Sequence, residues 1–300
     1  FKPIVDPNFI LQHPGITVSL LDVALALQIR WRKQMQADKL QTTRDFWNAS
    51  PCTGQDNISD RRSMKYDKEP WLLPLLDHLA KNNRYVLEVG CGQGTDGLTL
   101  CQTMAKGGRY VGLDYSDNSV KEAVLVAEKE ADLNVHPEFR VANAEQLDVE
   151  SDTVDCVYSM GVLHHTANEH AAISEIQRVL KPNGKAYIVL YRKGAPKVLI
   201  AKLLRAIQLM FDAILGTDRC IYKWLLGHHL ERKYGTMLVE CFGVPFMKWY
   251  SRGEMRKMFS GFQINELKSM GYNIPFINPR GDGKSPFGYF WAIEVEKKTV

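Results

Sequence analysis

One stretch constrains the chain more than any other: Tyr85-Val86-Leu87-Glu88-Val89-Gly90-Cys91-Gly92-Gln93-Gly94-Thr95-Asp96-Gly97. Its apolar start reads as a buried strand, and three glycines at spacing two read as a tight loop. Glycines serve there because the loop must bend sharply with positive φ and let its backbone approach a ligand. A helical pattern follows from Thr95, and the amides that open that helix point at the same ligand. The expectation is a nucleotide-like cofactor at the carboxyl end of the first sheet strand.

Two cofactor classes compete for such a loop. Gly92-x-Gly94-x-x-Gly97, with Asp114 about twenty residues on, satisfies the dinucleotide fingerprint. Glu88, two residues before the first glycine, argues the other way. A carboxylate there suits a cation such as the amino group of a methionine moiety and is poorly placed for a pyrophosphate. The block Val86 to Gly97 resembles motif I of the class I S-adenosylmethionine (SAM)-dependent methyltransferases. That resemblance implies SAM as cofactor and S-adenosylhomocysteine as product, with an NAD-linked reductase as the rival.

The rest of the chain supplies the frame. Pro3, Pro7 and Pro14 mark a loose lead-in, and Thr17 to Met35 has helical spacing. Phe46 to Cys52 reads as turn-rich, and Arg61 to Leu79 as one or two helices broken at Pro70 and Pro74. Strands are expected at Tyr85–Val89, Arg109–Asp114, Pro137–Ala142, Val154–Met160 and Lys185–Tyr191. Helices are expected at Thr95–Ala105, Asn118–Leu133 and Glu169–Leu180, with Ser116 to Ser119 offering cap residues. This alternation means a parallel, doubly wound α/β sheet. After Arg192 come long helical patterns, then two strands, Phe262–Met270 and Tyr289–Lys297. The expected fold is therefore a Rossmann-like, seven-stranded sheet with an antiparallel C-terminal hairpin. Its expected parts are a helical cover (1–83), a cofactor-binding core (84–192), a helical cap carrying the acceptor site (193–260) and strands that complete the sheet (261–300).

Residues 84–192 follow the family's motif order, close to the ubiquinone/menaquinone-biosynthesis-like branch. The resemblance assigns cofactor contacts to Glu88, Gly90, Gly92, Gly94, Asp96, Asp114, Tyr115, Asn143, Ala144 and Met160. Asp114 would accept from both ribose hydroxyls. Tyr115 would lie on a face of the adenine. Asn143 stands where the family has Asp, and its amide oxygen can still accept from the adenine amine. His164 and His165 follow the fourth strand, where a histidine can take a proton as the methyl arrives. Packing behind the cofactor is the competing reading for both. Tyr66 and Trp71 are candidates for lining the pocket, and Tyr66 is a catalytic candidate beside His165 and His164. The loop lacks the Asn/Asp-Pro-Pro-Tyr/Phe signature used on nucleobase amines and holds no cysteine to attack a pyrimidine.

Composition narrows the partners. The net charge is +4 without a Lys/Arg tract, so nucleic acid is not expected. Six scattered cysteines contain no C-x-x-C pair, which points to a reduced, cytoplasmic setting and no metal site. No apolar run reaches the roughly 18 residues of a membrane span. The chain begins at Phe1 and is read as trimmed, so a larger parent polypeptide stays open, as does a homodimer. Between Arg192 and Lys233 nine Lys/Arg face three Asp/Glu. This excess suits an anionic acceptor or peripheral membrane contact through the cap. Val198, Leu199, Leu203, Leu204, Ile207, Met210, Phe211, Ile214 and Leu215 are expected either to pack on the core or a second subunit or to wall an apolar acceptor pocket, closed by Trp47, Tyr66 or Tyr250. A lipophilic or aromatic small molecule methylated on oxygen or carbon is the expected acceptor. A carrier-bound acyl or polyketide substrate and a non-catalytic SAM-binding subunit are the alternatives.

Overall fold

The computed structural model describes residues 20–50, 57–228, 239–271 and 283–299. The proline-rich lead-in, Cys52, His229, Pro275 and Pro279 lie outside the described residues. The chain divides into two compact units, Phe1–Thr42 and Thr43–Val300. Helix α1 (Leu20–Ala49) begins in the first and ends in the second. It runs through Phe46–Ala49, where sequence alone suggested a turn: the Pro that stops it stands only at position 51.

In the second unit α2 (Ile58–Lys68) and α3 (Leu72–Asn82) precede the sheet. Pro74 sits in the first turn of α3 and does not break it, because first-turn amides have no intrahelical acceptor to lose. The alternation then runs β1 (Tyr85–Val89), α4 (Thr95–Thr103), β2 (Arg109–Asp114), α5 (Asp117–Ala127), β3 (Glu138–Val141), β4 (Val154–Met160), α6 (Glu169–Val179) and β5 (Leu180–Tyr191). Ser116 caps α5 by accepting from the Ser119 amide at 3.1 Å. That helix ends at Ala127, short of the expected Leu133. The Asn134 and Val135 amides bond to the Cys101 carbonyl instead, turning the chain back toward β3. Helices α7 (Pro196–Leu215), α8 (Cys220–Gly227) and α9 (Arg252–Met258) come next, then β6 (Gln263–Met270) and β7 (Phe290–Glu296).

The seven strands lie in the order β3-β2-β1-β4-β5-β7-β6. The five from β3 to β5 are parallel, and β7 pairs antiparallel with both β5 and β6. Alternate residues of β1 feed two apolar layers. Val86 joins Leu72, Leu76, Leu98 and Ala123 on one face, while Leu87 and Val89 join Ile173, Ile176 and Met255 on the other. The order reverses between β1 and β4, so the loops leaving their carboxyl ends diverge and open a crevice.

Candidate functional site

The crevice is built on backbone geometry. After β1 the Gly90 and Cys91 amides bond to the Leu113 carbonyl, and Gly92 donates to Asp114 Oδ2 at 2.8 Å. Gly90 has φ +84°, and a Cβ on it would run into Val162 of the loop after β4, so the two loops cross where only glycine fits. Gly92 (φ +52°) is the opposite case: a Cβ there would meet no atom within 4 Å, and the same holds for Gly161 on the facing loop. A bare-backbone cradle thus lies between the two strands, with open space in front of it.

Asp114 is the tie. Its Oδ2 takes the Gly92 amide and its Oδ1 the Ser116 amide at 2.8 Å. Burial pushes its carboxyl up, against the pull of those amides. Each oxygen keeps a further lone pair for hydroxyls. Tyr115 beside it is half-buried, with the Arg44 guanidinium 5.4 Å from its ring centroid. At the end of β3, Asn143 turns its Oδ1 onto the Glu145 amide at 2.9 Å, and Ala144 packs on the core.

Beneath the glycine loop is an acid cluster. Asp96, 1% exposed, receives Lys65 Nζ (2.6 Å), Tyr158 (2.8 Å) and Tyr66 (2.9 Å). Tyr66 also donates to Thr99 at 3.0 Å. Glu88 points from β1 onto the same face and accepts from Tyr110. Burial lifts the Glu88 carboxyl to about 8; the nearby Asp96 charge adds to the shift and Lys65 opposes it. Burial and Asp96 likewise push the Tyr66 phenol far up, so its proton stays on at neutral pH.

The loop after β4 carries a short helical turn, Leu163–His165. His164 is fully buried, its ring centroid 4.3 Å from that of Tyr191 and 4.1 Å from that of His165. Neither of its ring nitrogens has a hydrogen-bond partner among the described residues. Burial drives its pKa well below that of a free imidazole. His165 Nδ1 lies 2.8 Å from the Phe246 carbonyl, which can only accept, so Nδ1 carries the proton and Nε2 is the basic nitrogen. Burial, which outweighs that hydrogen bond, lowers His165 to about 4. Trp47, from the last turn of α1, meets its ring edge-on at 5.3 Å. Beyond Tyr191 the site continues into Phe290 and Tyr289, with Lys197 Nζ 3.8 Å from the Tyr289 ring centroid. Lys202 Nζ lies 4.4 Å from the Trp249 ring, whose buried indole N–H has no partner among the described residues.

The residues singled out in the sequence thus fall into two groups. Glu88, Gly90, Gly92, Gly94, Asp96 and Asp114 share the glycine-loop side, while Met160, His164 and His165 stand on the facing strand and loop. The Trp71 indole N–H is held by Glu69 Oε2 at 2.7 Å. Sequence reasoning missed Lys65, Tyr110 and Tyr158, which partner the buried acids, and the α1 clamp. In that clamp Arg44 pairs with Asp117 (2.7 Å), and Asn48 Oδ1 accepts from Ser116 Oγ (2.8 Å). The contacts span 22 to 73 residues of sequence, and no local pattern announces them.

Residues 87–188 match the family model described as a methyltransferase domain. The chain is 27% identical to a ubiquinone biosynthesis O-methyltransferase of Bartonella tribocorum over 59% of its own length and 62% of that protein's. It is 31% identical to a demethylmenaquinone methyltransferase of Lactococcus lactis over 43% and 49%. The chain therefore spans less than two thirds of either relative. The magnesium protoporphyrin IX methyltransferase of Synechocystis, solved with bound S-adenosylhomocysteine, superposes with a TM-score of 0.53 at 18% identity. That alignment covers 87% of this chain and all of that one, and it shares the fold.

Proposed function

We propose that the protein, whose residues 87–188 match a methyltransferase domain model, is a SAM-dependent methyltransferase that methylates a lipophilic or aromatic small molecule on oxygen or carbon. One observation carries the reading: the Asp114-tied glycine cradle opens, across the β1–β4 crevice, onto a buried histidine turn with an aromatic and cationic far end.

The cradle fits SAM. Asp114 has lone pairs free for the ribose hydroxyls, Tyr115 and the Asn143–Ala144 turn flank the adenine side, and Glu88 offers a carboxylate to the amino group. Gly90, Gly92 and Gly94 bare the backbone, Asp96 holds the loop from beneath, and Met160 closes the strand-four side. SAM supplies a methyl on a sulfonium, already a strong electrophile, so the chain's task is mainly alignment and water exclusion. Trp47, Tyr191 and Trp249 wall the acceptor side with apolar surface. His165 Nε2 is neutral across the physiological range and can receive a hydroxyl proton, though a base near 4 is weak and assists rather than drives. His164 and Tyr66 position: one packs behind the cradle, the other holds Asp96.

The test is release of S-adenosylhomocysteine when phenolic and quinol-type acceptors are added to protein and SAM. Turnover with acyl carrier substrates alone would move the assignment to a carrier-bound acceptor. SAM binding with no turnover in any pool would leave a binding subunit. NAD that displaces SAM would overturn the cofactor.

Glu88 yields a pH prediction. With its folded carboxyl raised to about 8, it is protonated at neutral pH, and a cation placed beside it favours the ionised form. SAM affinity should rise about tenfold per pH unit at most between pH 6 and 8, with up to one proton released on binding. Calorimetry in buffers of differing ionisation enthalpy reads that proton. Glu88→Gln should flatten the slope, and an unchanged slope would remove Glu88 from the amino-group site.

A further inference from the structure

Helix α7 turns its main apolar stripe away from the core. At 100° per residue, Leu199, Leu203, Ile207, Met210 and Ile214 fall on one side of the helix. Leu203 is 62% exposed and Ile214 71%. The opposite side holds Val198, Ala201 and Gln208, all buried. It is fastened by polar contacts, with Gln208 Nε2 on the Phe242 carbonyl and Arg205 on the Val244 carbonyl, both at 2.6 Å. Of the two expectations that stay within the chain, packing on the core or walling the acceptor pocket, neither describes this stripe: of the nine residues concerned only Val198 is buried. Small and polar side chains let the inner face seat closely, and that leaves the leucines and isoleucines outside. Helix α8 adds Trp224, 57% exposed.

The surroundings of the stripe are cationic. Residues 192–228 carry seven Lys/Arg against two Asp. The Lys193 and Lys223 side chains are more than half exposed, each within 4 Å of one acid, Glu254 and Asp218, while Lys197 and Lys202 lie against the Tyr289 and Trp249 rings. No described helix is long and apolar enough to cross a membrane. An apolar stripe in a segment of basic excess, with an exposed tryptophan nearby, suits the headgroup boundary of a bilayer, where apolar burial and attraction to anionic lipid act together. We propose that the outer face of α7, with Trp224, is a docking surface for an anionic lipid bilayer, the helix lying in the plane of the headgroups. The same helix abuts the Tyr289–Trp249 end of the crevice, so a docked molecule would present that end to the bilayer.

Flotation of the full chain with phosphatidylcholine vesicles, with and without phosphatidylglycerol, tests this. The protein should float with the anionic vesicles and much less with the neutral ones. Leu203→Glu and Ile214→Glu should each lower the bound fraction about tenfold or more, since each removes a fully inserted side chain. Leu125→Glu, an exposed apolar position on α5, should not. SAM affinity monitors folding of each variant, and no acceptor is present, so the outcome is independent of the acceptor class proposed above. Failure to float with either vesicle, or flotation of both α7 variants equal to that of the unsubstituted protein, would overturn the proposal. So would a dimer by light scattering that Leu203→Glu splits, because a second copy would then own the face.

Discussion

Asp96→Ala is expected to lower unfolding free energy by about 3–5 kcal/mol, the largest stability effect of any single polar substitution around the site. The carboxylate is buried and collects three donors: the Lys65 ammonium and the Tyr66 and Tyr158 hydroxyls. Alanine removes that acceptor from all three. The two phenols sit in the apolar layer under the glycine loop, where only Tyr66 has a second oxygen, Thr99 Oγ1, within 3.0 Å among the described contacts. Asp96→Asn should cost less, because an amide oxygen still accepts from a phenol although the charge facing Lys65 is gone. Urea unfolding followed by circular dichroism reads both. A loss below about 1 kcal/mol for the alanine variant, the scale of an exposed ion pair, would show that Asp96 is not the node the geometry makes it.

Asp114→Ala should raise the Kd for SAM by about 10–100-fold, or 1–3 kcal/mol. Two consequences combine. The Gly92 and Ser116 amides lose their acceptor, so the cradle is no longer tied to β2, and the proposed ribose contacts disappear. Asparagine should not rescue, since its NH2 would face one of the two backbone N–H groups. Titration calorimetry measures the change, and unchanged affinity would place the ribose elsewhere.

Much of the framework was legible because it is written locally. The strands β1, β2 and β4 stand where the apolar runs put them, and the Ser116 cap and the glycine loop are set by residues close together in the chain. Glu88 was legible as a buried acid beside the loop. That Tyr110, 22 residues on, would hold it was not, because β-register alone brings Tyr110 opposite Val86 and on the same face as Glu88. Helix ends were the weakest local signal: α1 outran its expected end and α5 fell short of its own.

Sequence by itself determined that this chain makes a doubly wound sheet with a cofactor cradle after its first strand, since strand periodicity, glycine at positive φ and an acid at the end of β2 act over a few residues each. Tertiary structure alone decided what each side of the larger pieces meets. The nine apolar residues of α7 announce a helix with an apolar side, but periodicity is blind to direction. The core accepts Val198, Ala201 and Gln208 because they allow close approach, and that choice sends Leu203 and Ile214 outward. The same holds for His164, whose sequence left open a titrating imidazole or a ring packed behind the cofactor. Burial against Tyr191 keeps it neutral, because a charged ring with no partner cannot be desolvated without a large penalty.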